Sequence, residues 1–261
     1  MPTDNHFIAK MRRGEPCLGT AITFSDPTVT EALCNVLDFV WIDTEHNPLN
    51  PSAVQGHIMA TRSSLTTAIV RVPWNDPVLV KPVLDMGAEG IIVPMVRTAD
   101  DVRQVVASCL YPPEGIRGFG PRRPTNYARM DSEEYCRHAN ESIMPIVMIE
   151  QDDAVKNIEV ILAVPGLTAV AIGPNDLANS MGHTGRPDHP DVVAAIEHVI
   201  DKSRAAGIFV GIGLPEDFDV LTGWFDRGIQ WSLMGNDYSL MLKRADETAA
   251  HVRDHMTSKR R

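Results

Sequence analysis

No stretch of this chain approaches the roughly 20 continuous apolar residues that a membrane span requires. The opening segment, MPTDNHFIAKMRRGEP, has no apolar core of signal-peptide length. Those two absences set the expectation of a cytoplasmic protein with no membrane partner. Positive charge is also short. Lys and Arg number 24 against 34 Asp and Glu, a formal net charge of −10, so the chain lacks the basic field that nucleic acids and anionic surfaces demand. Any anionic substrate must then be held by local cations or by a metal. Cysteine is scarce as well: Cys17, Cys34, Cys109 and Cys136 form no C-x-x-C pair and have no matching histidine spacing. They suggest neither a zinc site nor a disulfide framework and read as reduced, small apolar residues.

What is present is 261 residues with 44% hydrophobic content, enough for one large α/β barrel or two small domains. Apolar, β-rich runs recur eight times, at Cys17–Thr23, Leu37–Asp43, Thr66–Val72, Ala88–Pro94, Ile143–Glu150, Thr168–Gly173, Gly207–Gly213 and Ile229–Met234. Between them, Asp26-Pro27, Asn50-Pro51 and Asp76-Pro77 each place a capping residue before a proline suited to the first helical position. Val192, Val193, Ile196, Val199 and Ile200 follow helical spacing. Strands alternating with helices in eight units predict a (β/α)8 TIM barrel, a single domain over residues 1–261, with a doubly wound open sheet as the alternative. No composition shift marks a domain boundary. The long connection from about Asp100 to Asn140 carries YPPEGIRGFGPRRP and is expected to cover the active site or face substrate.

A barrel gathers its chemistry where the strands' C-terminal ends meet. Here those ends read VWIDTEH, AIVRV, IVMIE and AIGPNDL. Ile69 alternates with Arg71, and Ile146 and Met148 with Glu150, so the charged residues share a face with side chains suited to a barrel interior. Glu150 and Asp176 come from consecutive strand tops. Either they are a strand-end acid and a helix cap, or they bind a hard cation such as Mg2+ or Mn2+. His46 reads as a hydrogen-bonded loop histidine or, close after Asp43, as a general base oriented by that carboxylate. Arg71 is an ion-pair partner of Asp43 or Asp85, or the cation that neutralises an oxyanion. Asp85 ends a helix before the fourth strand and is otherwise an exposed acid. Arg117, Arg122 and Arg123 in the long loop read as solvated charges or as residues steering an anion inward.

The segments DFVWIDTEHNP, RVPWNDPVLVKPVLDMGAEGIIVPMV, YPPEGIRG, MIEQDDAVKN and IGPNDLANSMGHTGRPDHP together resemble the metal-dependent class II pyruvate aldolases of the HpcH/HpaI type. The likeness runs from about Cys17 to Asp237. It implies a (β/α)8 barrel assembled as a hexamer, a trimer of dimers with the last helix exchanged between subunits, and a divalent metal (Mg2+, Mn2+ or Co2+) that chelates pyruvate. It also implies His46 as base, Arg71 as oxyanion-stabilising arginine, Glu150 and Asp176 as metal ligands, and Asp43 and Asp85 as supports of the histidine. Gly173, Asn175 and Asp176, with Arg71, would bind the substrate. Three departures stand out: Met148 replaces a glutamine common in the family, FGPRRPTNY follows GIRG where a smaller run is usual, and GPND in place of GPAD puts Asn175 beside Asp176.

The activity so implied is reversible cleavage of 4-hydroxy-2-oxo acids to pyruvate, or hydroxypyruvate, and an aldehyde. Related lyases acting on acyl-thioesters, decarboxylation of oxaloacetate, and a non-catalytic oxo-acid binding protein are the alternatives. A Schiff-base aldolase needs a strand-end lysine, and Lys10, Lys81, Lys156, Lys202, Lys243 and Lys259 all fall in helices or termini. A phosphate-binding barrel would draw on Gly211, Gly213 and Gly235, which otherwise mark tight turns.

Overall fold

A computed structural model describes residues 5–259. Its eight strands are β1 (Cys17–Ile22), β2 (Phe39–Asp43), β3 (Thr67–Arg71), β4 (Gly90–Val93), β5 (Met144–Ile149), β6 (Ala169–Ile172), β7 (Phe209–Leu214) and β8 (Trp231–Asn236). All neighbours pair in parallel, and β8 closes on β1. The barrel expected from the eight runs is present, with strand ends displaced by one or two residues.

The helices in chain order are α1 (His6–Arg12), α2 (Thr28–Leu33), α3 (Pro51–Ala60), α4 (Pro77–Met86), α5 (Ala99–Cys109), α6 (Ser132–Ser142), α7 (Asp152–Lys156), α8 (Ile158–Leu162), α9 (Pro174–Ser180), α10 (Pro190–Ala205), α11 (Phe218–Asp226) and α12 (Asp237–Ser258). Asn50 and Asp76 cap α3 and α4, accepting from Ala53 N–H and Val78 N–H, with proline next in line. At Asp26-Pro27 the helix starts one residue later than expected. Pro27 is itself the cap position, and Asp26 accepts from both the N–H and the hydroxyl of Thr28.

The strands carry two cores because both their faces are covered. Val40, Ile42, Val70, Ile91, Val147 and Ile172 point outward into one cluster with the helices. Phe39, Trp41, Ile69, Ile146, Met148 and Trp231, one position out of phase, fill the barrel. Phe39 and Trp231 fit because Gly19 and Gly211 lie beneath them. A Cβ on Gly19 would stand 2.5 Å from the Phe39 ring, and one on Gly211 would stand 2.2 Å from Trp231. Helix α1 plugs the N-terminal end: Phe7 is fully buried, its ring centroid 5.0 Å from that of Phe39 and 5.7 Å from that of Trp231. Burying that one ring contributes about 1.5–3 kcal/mol.

The long connection corrects an expectation. Helices α5 and α6 take its two ends, and residues 110–131 lie against the C-terminal end of α4, where Arg117 pairs with Asp85 at 2.9 Å and Arg123 donates to the Met86 carbonyl. A helix leaving β4 runs back down the barrel, so a segment between that helix and β5 sits at the N-terminal end. Within one chain it does not cover the site.

Candidate active site

Residues continuing the inward face of the strands reach the C-terminal mouth as charged groups. Asp43 closes β2 and Arg71 closes β3 in direct register. Arg71 Nε donates to Asp43 Oδ1 at 2.8 Å, and Nη1 lies 2.9 Å from Glu45 Oε2. The guanidinium also stands over Trp41, 5.2 Å from the ring centroid. Burial pulls its pKa down, but the Asp43 hydrogen bond and the surrounding carboxylates outweigh this and hold it above its ordinary value. Arg71 is therefore a fixed cation facing a cavity of about 710 Å3 that Trp41, Asp43, His46, Met148, Gly173 and Asp176 also line.

Glu150 follows β5 and is 2% exposed. Its Oε1 accepts from Met95 N–H at 2.7 Å. Its Oε2 faces Gly173, where a Cβ would approach to 2.9 Å, so glycine there leaves room for the carboxylate. Burial pushes the Glu150 pKa up to about 7; the Met95 N–H opposes this, and Glu45 and Asp176 add to it. Glu45 is likewise raised by burial and by Asp43 and Asp176, against Arg71. Its Oε2 is buried and lies within ion-pair range of Arg71 without an aligned hydrogen bond. Asp176, in the first turn of α9, is exposed to the cavity. A buried carboxylate, a second at the rim and a surplus of negative charge fit a hard divalent cation held by Glu150 and Asp176. Gly173 is the N-cap of α9 with no side chain capping that end, and Asn175 stands beside Asp176 on the cavity wall.

The structure divides the expected supports of His46. Asp43 reaches the cavity, yet its oxygens serve Arg71, the Glu45 N–H and the Asn47 side chain at 2.6 Å, not the imidazole. The carboxylate nearest His46 is Glu45, at 3.7 Å from Nε2, and the His46 side chain is 62% exposed. Asp85 lies elsewhere in this chain. It sits in the last turn of α4, at the N-terminal end of the barrel, paired with Arg117, because ten helical residues carry the chain about 15 Å from the β3 mouth. Arg117 is buried in that pair and against Tyr111, 4.4 Å from the ring centroid, instead of being solvated.

Sequence reasoning left Glu45 as a loop or supporting acid at the strand end and missed Trp41. Alternation with Asp43 signalled Trp41; its buried Nε1 lacks a partner. Glu45 follows the strand, where alternation ends, and only the turn brings it back to Arg71. Met148 does point into the cavity. Among the described residues no lysine lines it, and the six lysines lie in helices or at the α12 terminus. Gly211 serves the Trp231 packing, and Gly235 backs the Glu216 carboxylate, which does not suit a phosphate grip.

The HpcH/HpaI aldolase/citrate lyase family model matches residues 24–243. A 4-hydroxy-2-oxo-heptane-1,7-dioate aldolase of Shigella sonnei is 36% identical over 95% of this chain and 94% of its own length. The chain belongs to the HpcH/HpaI aldolase/citrate lyase family. Its structure is similar to an HpcH/HpaI aldolase/citrate lyase family protein of Burkholderia cenocepacia, with a TM-score of 0.90, 30% identity, and coverage of 95% of this chain and 99% of that one. It is also similar to the citrate synthase SbnG, with a TM-score of 0.85, 28% identity, and coverage of 95% and 98%.

Another cluster near the mouth has metal-ligand chemistry. His183 Nε2 lies 3.4 Å and His189 Nδ1 3.7 Å from Asp191 Oδ2. The two imidazoles stack at 3.6 Å and 14°, so their in-plane lone pairs run parallel and do not converge on one ion. His189 Nδ1 already accepts the Asp191 N–H as the cap of α10. This HpcH/HpaI family member uses the cluster to start a helix.

Proposed function

We propose that this chain is a metal-dependent aldolase that reversibly cleaves 4-hydroxy-2-oxo acids to pyruvate, or the close analogue hydroxypyruvate, and an aldehyde. The observation that carries the reading is Arg71, a largely buried, doubly paired cation lining the cavity with Asp176, close enough to the buried Glu150 for the two charges to act on each other. A divalent ion, Mg2+, Mn2+ or Co2+, held by those two carboxylates would supply Lewis-acid polarisation of the 2-oxo acid. Arg71 stabilises the negative charge that develops on the oxo-acid oxygen as the C3–C4 bond breaks. Its geometry is set in advance by Asp43 and Glu45, so little reorganisation is needed when charge appears. His46, at the rim, takes the proton from the 4-hydroxyl in cleavage and returns it in addition. Glu45 Oε2, 3.7 Å from His46 Nε2, is the carboxylate beside that imidazole. Trp41 and Met148 give the floor an apolar surface against which a pyruvate methyl group can lie.

Relatives named as aldolases support the reaction class, and the donor set supports the metal. The decisive experiment measures pyruvate release from a panel of 4-hydroxy-2-oxo acids after chelation and again after Mg2+, Mn2+ or Co2+ is restored. Activity is expected to vanish and return. Turnover that ignores the chelator refutes the metal mechanism. His46→Ala is expected to lose most turnover while keeping metal affinity, and Glu150→Ala to lose that affinity.

A further inference from the structure

The cavity is larger than a pyruvate needs, and its remaining wall bears on the second substrate. In the reading proposed above, the 2-oxo acid occupies the β5–β6 side, between Glu150, Asp176 and Arg71, while His46 stands on the β2 side. The arc left for the substituent of the aldehyde runs over the mouths of β7, β8 and β1. Glu150 follows β5 and Glu216 follows β7, so they are two strand spacings apart, about 10 Å along the rim. That is the span of a pyruvate joined to a three-carbon aldehyde.

This arc mixes apolar side chains (Leu214, Pro215 and Leu233) with the polar Glu216, Asn236 and Ser239, and among the described residues no lysine or arginine lines it. Glu216 lines it, its Oε2 accepting from Ser239 Oγ at 2.8 Å, while Oε1 makes no hydrogen bond among the described residues. Gly235, at φ +77°, makes the position possible, because a Cβ there would fall 2.2 Å from Glu216 Oε2. Asn236 adds a neutral amide. The first turn of α12 that holds Ser239 is fixed by Asp237, which accepts from Thr23 N–H at 2.8 Å, Thr23 Oγ1 at 2.6 Å and Phe24 N–H at 3.0 Å. Lys243 donates to the Glu216 main-chain carbonyl and does not line the cavity. Arg71 is the single lysine or arginine on the cavity wall among the described residues, and Asp43 and Glu45 engage it.

Loops after β7 and β8 are where TIM barrels often grip phosphate, with main-chain N–H groups and a helix N-terminus. Here a carboxylate is held in that place. A second carboxylate, or a phosphate, brought against Glu216 meets like charge with no lysine or arginine of the described residues on that arc to offset it. A hydroxyl meets an acceptor with a free oxygen.

We infer that Glu216 makes the acceptor subsite selective for a neutral, hydroxylated short-chain aldehyde and against aldehydes bearing a carboxylate or phosphate. The inference rests on the aldolase reading and extends it to the second substrate. Glu216 accepts a hydroxyl hydrogen of the aldehyde, and Asn236 and Ser239 complete the polar wall.

The test uses the full-length protein with Mn2+ and pyruvate, and compares addition to glyceraldehyde, succinic semialdehyde and glyceraldehyde 3-phosphate. The expected kcat/KM for glyceraldehyde exceeds that for either anionic aldehyde by tenfold or more. Glu216→Gln, which keeps shape and removes charge, is expected to shrink that ratio at least tenfold. A merely structural Glu216 would lower all three rates together. An anionic aldehyde used as well as glyceraldehyde, or a ratio unchanged in Glu216→Gln, overturns the inference. Exchange of the pyruvate methyl protons with D2O in the wild-type protein, with no aldehyde present, separates the two levels. Exchange with the wrong acceptor preference sinks the subsite inference alone, whereas no exchange sinks the aldolase reading and the inference with it.

Discussion

Glu45 Oε2 lies 2.9 Å from Arg71 Nη1, so a residue that follows its strand into a turn becomes the second carboxylate on the site's fixed cation. Asp43 and Glu45 together hold the guanidinium fork from two sides. Replacing Glu45 by alanine is expected to lower kcat for cleavage about tenfold, or roughly 1.4 kcal/mol of barrier. Metal affinity should stay near that of the wild type. Arg71→Lys should cost more, on the order of 100-fold, because an ammonium cannot reproduce the planar two-sided pairing. Steady-state kinetics with calorimetric metal titration reads both; an unaltered kcat in Arg71→Lys removes the arginine from the mechanism.

Glu150 must be ionised to bind a cation, and burial pushes its pKa up to about 7. Protons therefore compete with metal at mild pH. Mn2+ affinity is expected to weaken roughly tenfold per pH unit below about 7 and to level off above it. Glu150→Gln should bind weakly and without that slope. Titrations between pH 5.5 and 8.5 decide it, and an affinity independent of pH across that range contradicts the assignment.

His57 gives a separate pH signature, away from the site. It is fully buried, with Nδ1 2.8 Å from Thr30 Oγ1 and Nε2 3.0 Å from the Phe24 carbonyl. Burial lowers its pKa from 6.5, against the opposing pull of that carbonyl and of Asp237 and Asp26. The unfolded chain then takes up this proton more readily than the folded one. Stability from neutral His57 is complete above about 6.5 and is lost as pH falls below it. The wild type should lose urea resistance between pH 6.5 and 5 more steeply than His57→Gln. Parallel pH curves for the two proteins would show that His57 contributes no such linkage.

Helix α12 leaves an apolar stripe uncovered: Met241, Ala245, Thr248 and Val252 are spaced 4, 3 and 4 residues apart, and Met241 and Val252 are 56% and 55% exposed. That spacing lies on one helical face. We propose that it packs against another copy of the chain, in keeping with a hexamer in which last helices are exchanged. Light scattering of a Met241→Glu, Val252→Glu double variant should show a smaller assembly than the wild type at micromolar concentration. Each buried side chain contributes about 1.5–3 kcal/mol. A wild type that is monomeric at that concentration refutes the assembly.

Much of this was legible in the chain. Strand after strand carries β-branched or aromatic residues on both faces, which suits a parallel sheet covered on both sides, and eight such runs favoured a closed barrel over a doubly wound open sheet. The alternation of Ile69 with Arg71, and of Ile146 and Met148 with Glu150, placed those charges on the inner face before any coordinates. Period-two geometry is local, so local sequence determines it.

Local periodicity stops at the last residue of a strand, and there the tertiary structure took over. It gave Asp43 to Arg71 instead of His46, because adjacent strands in register set those two side by side. It brought Glu45 back through the turn and sent Asp85 and the 110–131 segment to the far end, because helices returning along a barrel reverse the direction of the chain. It seated Glu216, just after β7, against Gly235 of β8 and Ser239 of α12, because β7 and β8 pair in parallel and bring those elements together. The sequence determined which faces are buried and which strands end in charge; only strand register, turns and the return of the helices along the barrel decided which charges meet.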